Sequence, residues 1–161
     1  MSTAAIEVAL RNRLLTFDRL AGDRLNDILG GAEEGSGTDG KLYRGKVPDN
    51  VAGPFGVMRL MNRRRDSENP QAELAELEVQ FYVRNWANRA TLNDAADAAD
   101  EAMANYRAVS VEAGVIACWG AKRSDIGPWK EPADADVVQI LCVYTLRLWP
   151  ANLIQYHSTN V

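Results

Sequence analysis

The sequence predicts an α+β domain: a single mixed or antiparallel sheet of about five strands, with two main helices packed on one face. Three patterns carry that expectation. The chain opens on apolar residues at helical spacing. Its middle, "VQFYVRNWANRATLNDAADAADEAMANY" (79–106), passes from a period-two strand through a polar turn into an alanine-rich helix. It then closes on "VVQILCVYTLRLW" (137–149), a run apolar on both faces, as expected of a strand that is central in a sheet or covered on both sides. The expected order is α-β-β-β-α-β-β, with residues 1–149 as one domain and 150–161 as a terminal tail.

Ile6, Leu10, Leu14 and Phe17 recur at helical spacing beside Ala5 and Ala9, which predicts a helix over 3–17. Leu25, Ile28 and Leu29 continue the apolar pattern as far as Gly30. "GGAEEGSGTDG" reads as a mobile loop from its Gly and Ser content. "KLYRGKVP" predicts a short strand ending at Pro48. "FGVMRLMNRRR" predicts a second, with Phe55, Val57, Arg59 and Met61 on one face and Met58 and Leu60 on the other. "RDSENPQAELAE" is polar, holds Pro70 and reads as a loop or a hairpin tip. Leu77, Val79, Phe81 and Val83 then alternate with Glu78, Gln80, Tyr82 and Arg84.

The next helix is expected to begin near "NRATLND", where Thr91 with Asp94 resembles a capping box and Asn88 is the alternative cap. Leu92, Ala95, Ala96, Ala99, Met103 and Tyr106 form its apolar stripe. "GVIACWGAKR" predicts a fourth strand. "SDIGPWKEPADAD", with Pro128 and Pro132, reads as a long connection into the last and longest strand. Helices on one face leave Leu141, Val143 and Trp149 on the other, to be covered by a loop, the tail or another subunit.

Composition narrows the function. The 161 residues suit one domain, and 47% hydrophobic content is enough for a packed core. Lys and Arg number 18 against 22 Asp and Glu, a net charge of −4. That balance speaks against tight non-specific nucleic-acid binding, which depends on neutralising phosphates. Cys118 and Cys142 lie far apart in apolar strand-like runs and read as small buried hydrophobes, not as a disulfide or metal pair. No apolar run is long enough to span a bilayer. Glu7, Arg11 and Arg13 make the opening helix unlike a signal peptide, so folding in the cytoplasm with no membrane partner is expected.

Residue chemistry points away from catalysis. His157 is the sole histidine and stands in a polar tail. There is no phosphate-binding loop, nucleophile elbow or His/Cys zinc spacing. Asp94, Asp97, Asp100 and Glu101 lie partly on one side of a helix, where carboxylates could hold a hard cation. Without a companion His motif they read as a solvated face or a subunit contact. No catalytic residue, cofactor or metal is therefore expected. The basic cluster Arg63, Arg64 and Arg65, followed by Asp66, could touch DNA phosphates, pair with acids of a neighbouring subunit, or stand in solvent. Trp129 with Lys130, in an expected polar loop, either folds back on the core or anchors a partner. The candidates for assembly contacts are thus Arg63, Arg64, Arg65, Asp66, Trp129, Lys130, Asp97 and Glu101, together with the loop 31–40.

Taken in succession, three stretches resemble the tail-terminator (tail-completion) proteins of long-tailed bacteriophages, including the lambda-type terminators and related gene-transfer-agent components. They are "AIEVALRNRLL" followed by a loop, "LYRGKVPDNVAGPFGVMRLM", and "LEVQFYVRNWANRATLNDAADAADEAMANY", completed by "VVQILCVYTLRLW". The resemblance spans roughly residues 4–149 and lies in the order of the pieces, no single motif being specific. The connection 121–135 and the tail after Pro150 depart from it.

The resemblance implies a structural virion protein of the tail or neck, assembled in the host cytoplasm. It would form a homo-oligomeric ring, usually a hexamer, on the last ring of the tail tube. There it would stop tube growth and present a surface to the head-completion or connector protein, with DNA passing through the lumen without tight binding. A head-completion or head–tail connector neck protein is the nearest alternative. A small-molecule enzyme or a monomeric ligand-binding module on an α+β scaffold would instead require a concave pocket with convergent polar groups.

Overall fold

The computed structural model describes residues 2–32, 37–104, 115–132, 134 and 136–150. In chain order they form α1 (Thr3–Thr16), α2 (Leu25–Ile28), β1 (Leu42–Arg44), β2 (Phe55–Arg65), β3 (Glu73–Arg84), α3 (Arg89–Met103), β4 (Val115–Lys130) and β5 (Val137–Pro150). The strands make one mixed five-stranded sheet in the order β1-β2-β3-β5-β4. β1 runs parallel to β2, and every other neighbour is antiparallel. The α+β class and the succession of strands expected from the sequence are those of the structure. Tyr106 and the tail 151–161, including His157, lie outside the described residues.

The core fills the space between one sheet face and the two long helices. Ser2 caps α1, its hydroxyl accepting from the Ala5 amide at 3.4 Å. Ile6, Leu10 and Leu14 repeat every four residues, so they share one face, and with Leu15 they are fully buried. Opposite them lie alternate residues of three strands: Met58 and Leu60 of β2; Ala75, Leu77, Val79, Phe81 and Val83 of β3; Val138, Ile140, Cys142, Tyr144, Leu146 and Leu148 of β5. α3 buries Leu92, Ala95, Ala96, Ala98, Ala99, Ala102 and Met103 against the same face. Alanine lets the helix backbone come close to the sheet, and Leu92 and Met103 then fill what the small side chains leave.

The glycine-rich stretch, expected as a mobile loop, is fastened at both ends. Buried Asn26 accepts from the Gly40 amide through Oδ1 at 2.7 Å and donates through Nδ2 to Asp39 Oδ1 at 3.1 Å. Asp39 Oδ2 accepts from the Ala32 amide at 2.8 Å. From α1, Arg11 donates to the carbonyls of Leu42 (2.6 Å), Thr38 (3.0 Å) and Gly40 (3.0 Å). A Cβ on Gly31 would lie 2.7 Å from the Asn26 carbonyl oxygen, and one on Gly40 would lie 2.9 Å from it. Only glycine permits that approach.

Three other expectations are corrected. The Thr91–Asp94 capping box does not form, because a 3-10 turn over Trp86–Asn88 precedes the helix and puts Thr91 inside its first turn. Asn85, at φ 71°, caps that turn by accepting from the Ala87 amide at 3.0 Å, while the Asn88 side chain donates to the Arg84 carbonyl instead of capping α3. β3 begins at Glu73, within the stretch read as a hairpin tip. The expected long connection 121–135 is mostly strand: β4 continues to Lys130, and its 16 residues exceed the 14 of β5. Pro128 is the residue that suggests a connection. It sits on an edge strand, at a register shift between Ile126 and Trp129, where a proline does not break a shared ladder.

The register also separates the cysteines. Cys118 stands opposite Leu148, while Cys142 stands opposite Asp125, seven positions further along β4. That is roughly 20 Å of strand, far beyond disulfide reach. Cys142 is buried.

Candidate assembly surfaces

The end of the β2–β3 hairpin holds the basic cluster, but its members have different surroundings. A register shift between Met61 and Arg64, with Asn62 at φ 54°, re-aims the strand end. Arg63 is tied inward: Nη2 meets Glu73 Oε2 at 2.8 Å and Nη1 donates to Thr3 Oγ1 at 2.8 Å. Arg64 is exposed and, among the described residues, donates only to the Asn62 carbonyl, at 3.4 Å. Arg65 is exposed and pairs with no described residue. Asp66 is the correction here, for it is 2% exposed and so is not a surface contact. Its Oδ2 lies 2.7 Å from Arg147 Nε, at an angle that makes the contact ionic and not a formed hydrogen bond. Its Oδ1 accepts from the Glu68 amide at 3.0 Å, closing the turn into β3.

The acids of α3 divide in the same way. Asp100 accepts from the Tyr144 hydroxyl at 2.5 Å. Glu101 pairs with Arg19 Nε at 2.6 Å. Asp94 and Asp97 are exposed and make no ion pair with any described residue. The Tyr144 hydroxyl titrates far above the ordinary tyrosine range, first because it is buried and then because Cys142 and Asp100 face it. Among the described residues no group of three or more His, Cys, Asp or Glu side chains could hold a metal.

Trp129 and Lys130 stand on a strand, not in a loop. Trp129 is half-buried and lies over Gly127, where a Cβ would come within 2.7 Å of its Cε3 atom. Lys130 is exposed, with Nζ 5.7 Å from the centroid of the Trp86 ring. Arg89 approaches that ring at 5.3 Å. Trp86 is 39% exposed and belongs with the candidates, although the sequence reading passed over it. A tryptophan inside the polar turn "NWAN" was the available signal.

The second sheet face carries the larger feature. Among the described elements none packs across it, since the helices occupy the other side. The register sets Phe55, Tyr82, Gln139 and Trp129 in one row across β2, β3, β5 and β4. Phe55 and Tyr82 stack with centroids 5.0 Å apart, and Tyr43 meets Phe55 edge-on at 6.3 Å. The next row holds Val57, Gln80, Leu141 and Ile126. Ile126 is 57% exposed. Gln139 is fixed between the aromatic neighbours by Gln80 at 2.5 Å and Glu131 at 2.6 Å. Tyr82 titrates above the usual tyrosine range, chiefly through burial and then through Glu131. Further along, the face turns ionic, with Arg59 and Glu78 3.8 Å apart and Asn62 donating to Glu76 at 2.8 Å. Leu141 and Trp149, expected to need cover, are half-buried, and Val143 is buried.

One concavity of about 260 Å³ lies beside the start of α3, lined by Gly53, Pro54, Val83, Arg84, Asn88 and Thr91. Its cation, Arg84, faces Asp134 at 3.7 Å. Its volume falls below the range of about 300–1,000 Å³ common for small-molecule sites.

Fold and surface together define a two-layer α+β protein with helices on one side of its sheet and, on the other, a partly aromatic face that no described element packs across. No family model matches the chain, and no curated protein matches it.

Proposed function

We propose that this protein is a structural ring subunit of the tail-terminator kind, acting at the head-proximal end of a phage-like tail tube. The observation that carries the reading is the second sheet face. It sets Tyr43, Phe55, Tyr82, Leu141, Ile126 and Trp129 together at one end with no described element over them. An apolar patch of that kind marks a protein contact. The order of elements, helix, three strands, helix, two strands, is also the order on which the resemblance rests. The work of such a subunit is adhesion: one heterologous contact, repeated until rotation closes the ring, and a second surface that caps the tube. A net charge of −4 suits a lumen through which DNA slides.

The test is native mass measurement and imaging of the protein alone and with tail-tube protein. A closed ring, or a ring formed on tube ends that limits tube length, supports the reading. A chain that stays monomeric, does not bind tube and leaves tube length unchanged overturns it.

A further inference from the structure

We propose that the contact closing the ring pairs Arg64 and Arg65 of one copy with Asp94 and Asp97 on the outer face of α3 in the next; this rests on the ring reading above. The hairpin arginines and the helix acids begin as mixed clusters, and the structure sorts each. Arg63 is committed to Glu73 and Thr3, and Asp66 to Arg147. Asp100 is committed to Tyr144 and Glu101 to Arg19. What stays exposed with no ion pair to any described residue is two cations at the hairpin end and two anions on the helix. Asp94 and Asp97 are three residues apart, so they lie on one helical face. Ala90 and Asn93, exposed beside them, are small enough to admit a strand end.

The two patches cannot satisfy each other within one chain. Arg65 stands opposite Glu73, at the start of β3, and α3 begins just past Arg84, at its end. The 12 residues of β3 span roughly 36 Å. Asp97 lies eight residues into α3, so the return path is at most about 12 Å. A gap of more than about 20 Å remains, beyond the reach of any side chain. Opposite charges at opposite ends of one subunit make a head-to-tail contact, the geometry that a ring repeats. A two-fold dimer would use both pairings across one interface, whereas a ring uses one at each of two interfaces, so native mass separates the two. Exposed pairs of this kind contribute more to register and encounter rate than to affinity, so the aromatic face is left to supply the adhesion.

A competing account keeps the aspartates as partners of the α3 N-terminal dipole and the arginines in solvent. Charge exchange separates the two. In Arg64→Glu/Arg65→Glu the ring should dissociate at roughly tenfold higher protein concentration than in the wild type, as it should in Asp94→Arg/Asp97→Arg. Combining all four substitutions should restore the ring to within about threefold of wild type, which no dipole effect can do. Far-UV circular dichroism and thermal melting confirm folding, and the neutral variants Arg64→Gln/Arg65→Gln and Asp94→Asn/Asp97→Asn repeat the test if a reversal misfolds. The wild-type ring should also weaken as salt rises from about 0.05 to 0.5 M. Rings unaffected by either reversal, or lost in both and not restored in the combination, overturn the pairing and leave the ring reading intact. Loss of tube binding with rings preserved assigns the arginines to the tube and likewise overturns it. Absence of any wild-type ring overturns both.

Discussion

Tyr144 and Asp100 form a polar contact at the edge of the core. The hydroxyl sits among apolar side chains, donates to Asp100 2.5 Å away and has the Cys142 thiol beside it. Tyr144→Phe should therefore lower stability by about 1–2 kcal/mol at neutral pH, measured as the urea midpoint. Its pH dependence has a definite sign. The folded hydroxyl holds its proton above the ordinary pKa of 10.0, while the unfolded one releases it there. Above that pH the unfolded state binds fewer protons, so stability present below pH 10 is lost as pH rises. Wild type should lose up to about 1.4 kcal/mol per pH unit more than Tyr144→Phe between pH 10 and 11. Equal slopes for the two proteins would show that the proton is not held. At the hairpin, Asp66→Ala leaves Arg147 beside an empty site and opens the turn at Glu68. It should cost about 1–3 kcal/mol, the partial exposure of Arg147 keeping the figure modest. Arg65→Ala should change stability by less than about 0.5 kcal/mol, because the side chain is exposed and pairs with no described residue.

Each element shows which physical demand chose its residues. The alanines of α3 set the distance between helix and sheet, so the helix has no room for a larger side chain at Ala99, which is fully buried. Ala99→Leu should destabilise by about 1–3 kcal/mol in thermal denaturation through overpacking, since leucine falls only slightly below alanine in helix propensity. A neutral result would mean that the layer is looser than its burial indicates. The clasp around Asn26 performs a comparable role for the glycine-rich stretch, fixing where its ends leave the core. β4 tolerates Gly127 and Pro128 because it is an edge strand with register shifts. Those two residues would break a central strand.

At the scale of the molecule, the two sheet faces carry different duties. One is sealed by α1 and α3 and supplies the core. The other ends in half-buried aromatic residues and exposed Ile126, which no described element packs across. On the ring reading, Ile126→Glu should weaken assembly at least about tenfold while moving the melting temperature by only a few degrees. Analytical ultracentrifugation beside a melting curve would check it. If assembly is unaltered while the fold weakens, Ile126 serves the fold and not a partner.

Alternation and helical spacing are local properties, and they sufficed for the class, the opening helix, the core of β3 and the alanine stripe of α3. They also exposed the arginine and aspartate clusters as candidates. Tertiary structure alone decided which members of those clusters are free. Asp66 is captured by Arg147, some 80 residues later in the chain, and Glu101 by Arg19, some 80 residues earlier. The same holds for β4, whose Pro128 argues against a strand only while its edge position is unknown. The aromatic row joins β2, β3, β5 and β4 through a register that no segment specifies by itself. Local pattern follows from the geometry of one helix or strand. Pairing, burial and exposure follow from which distant segments share a layer, and they exist only once the sheet has formed.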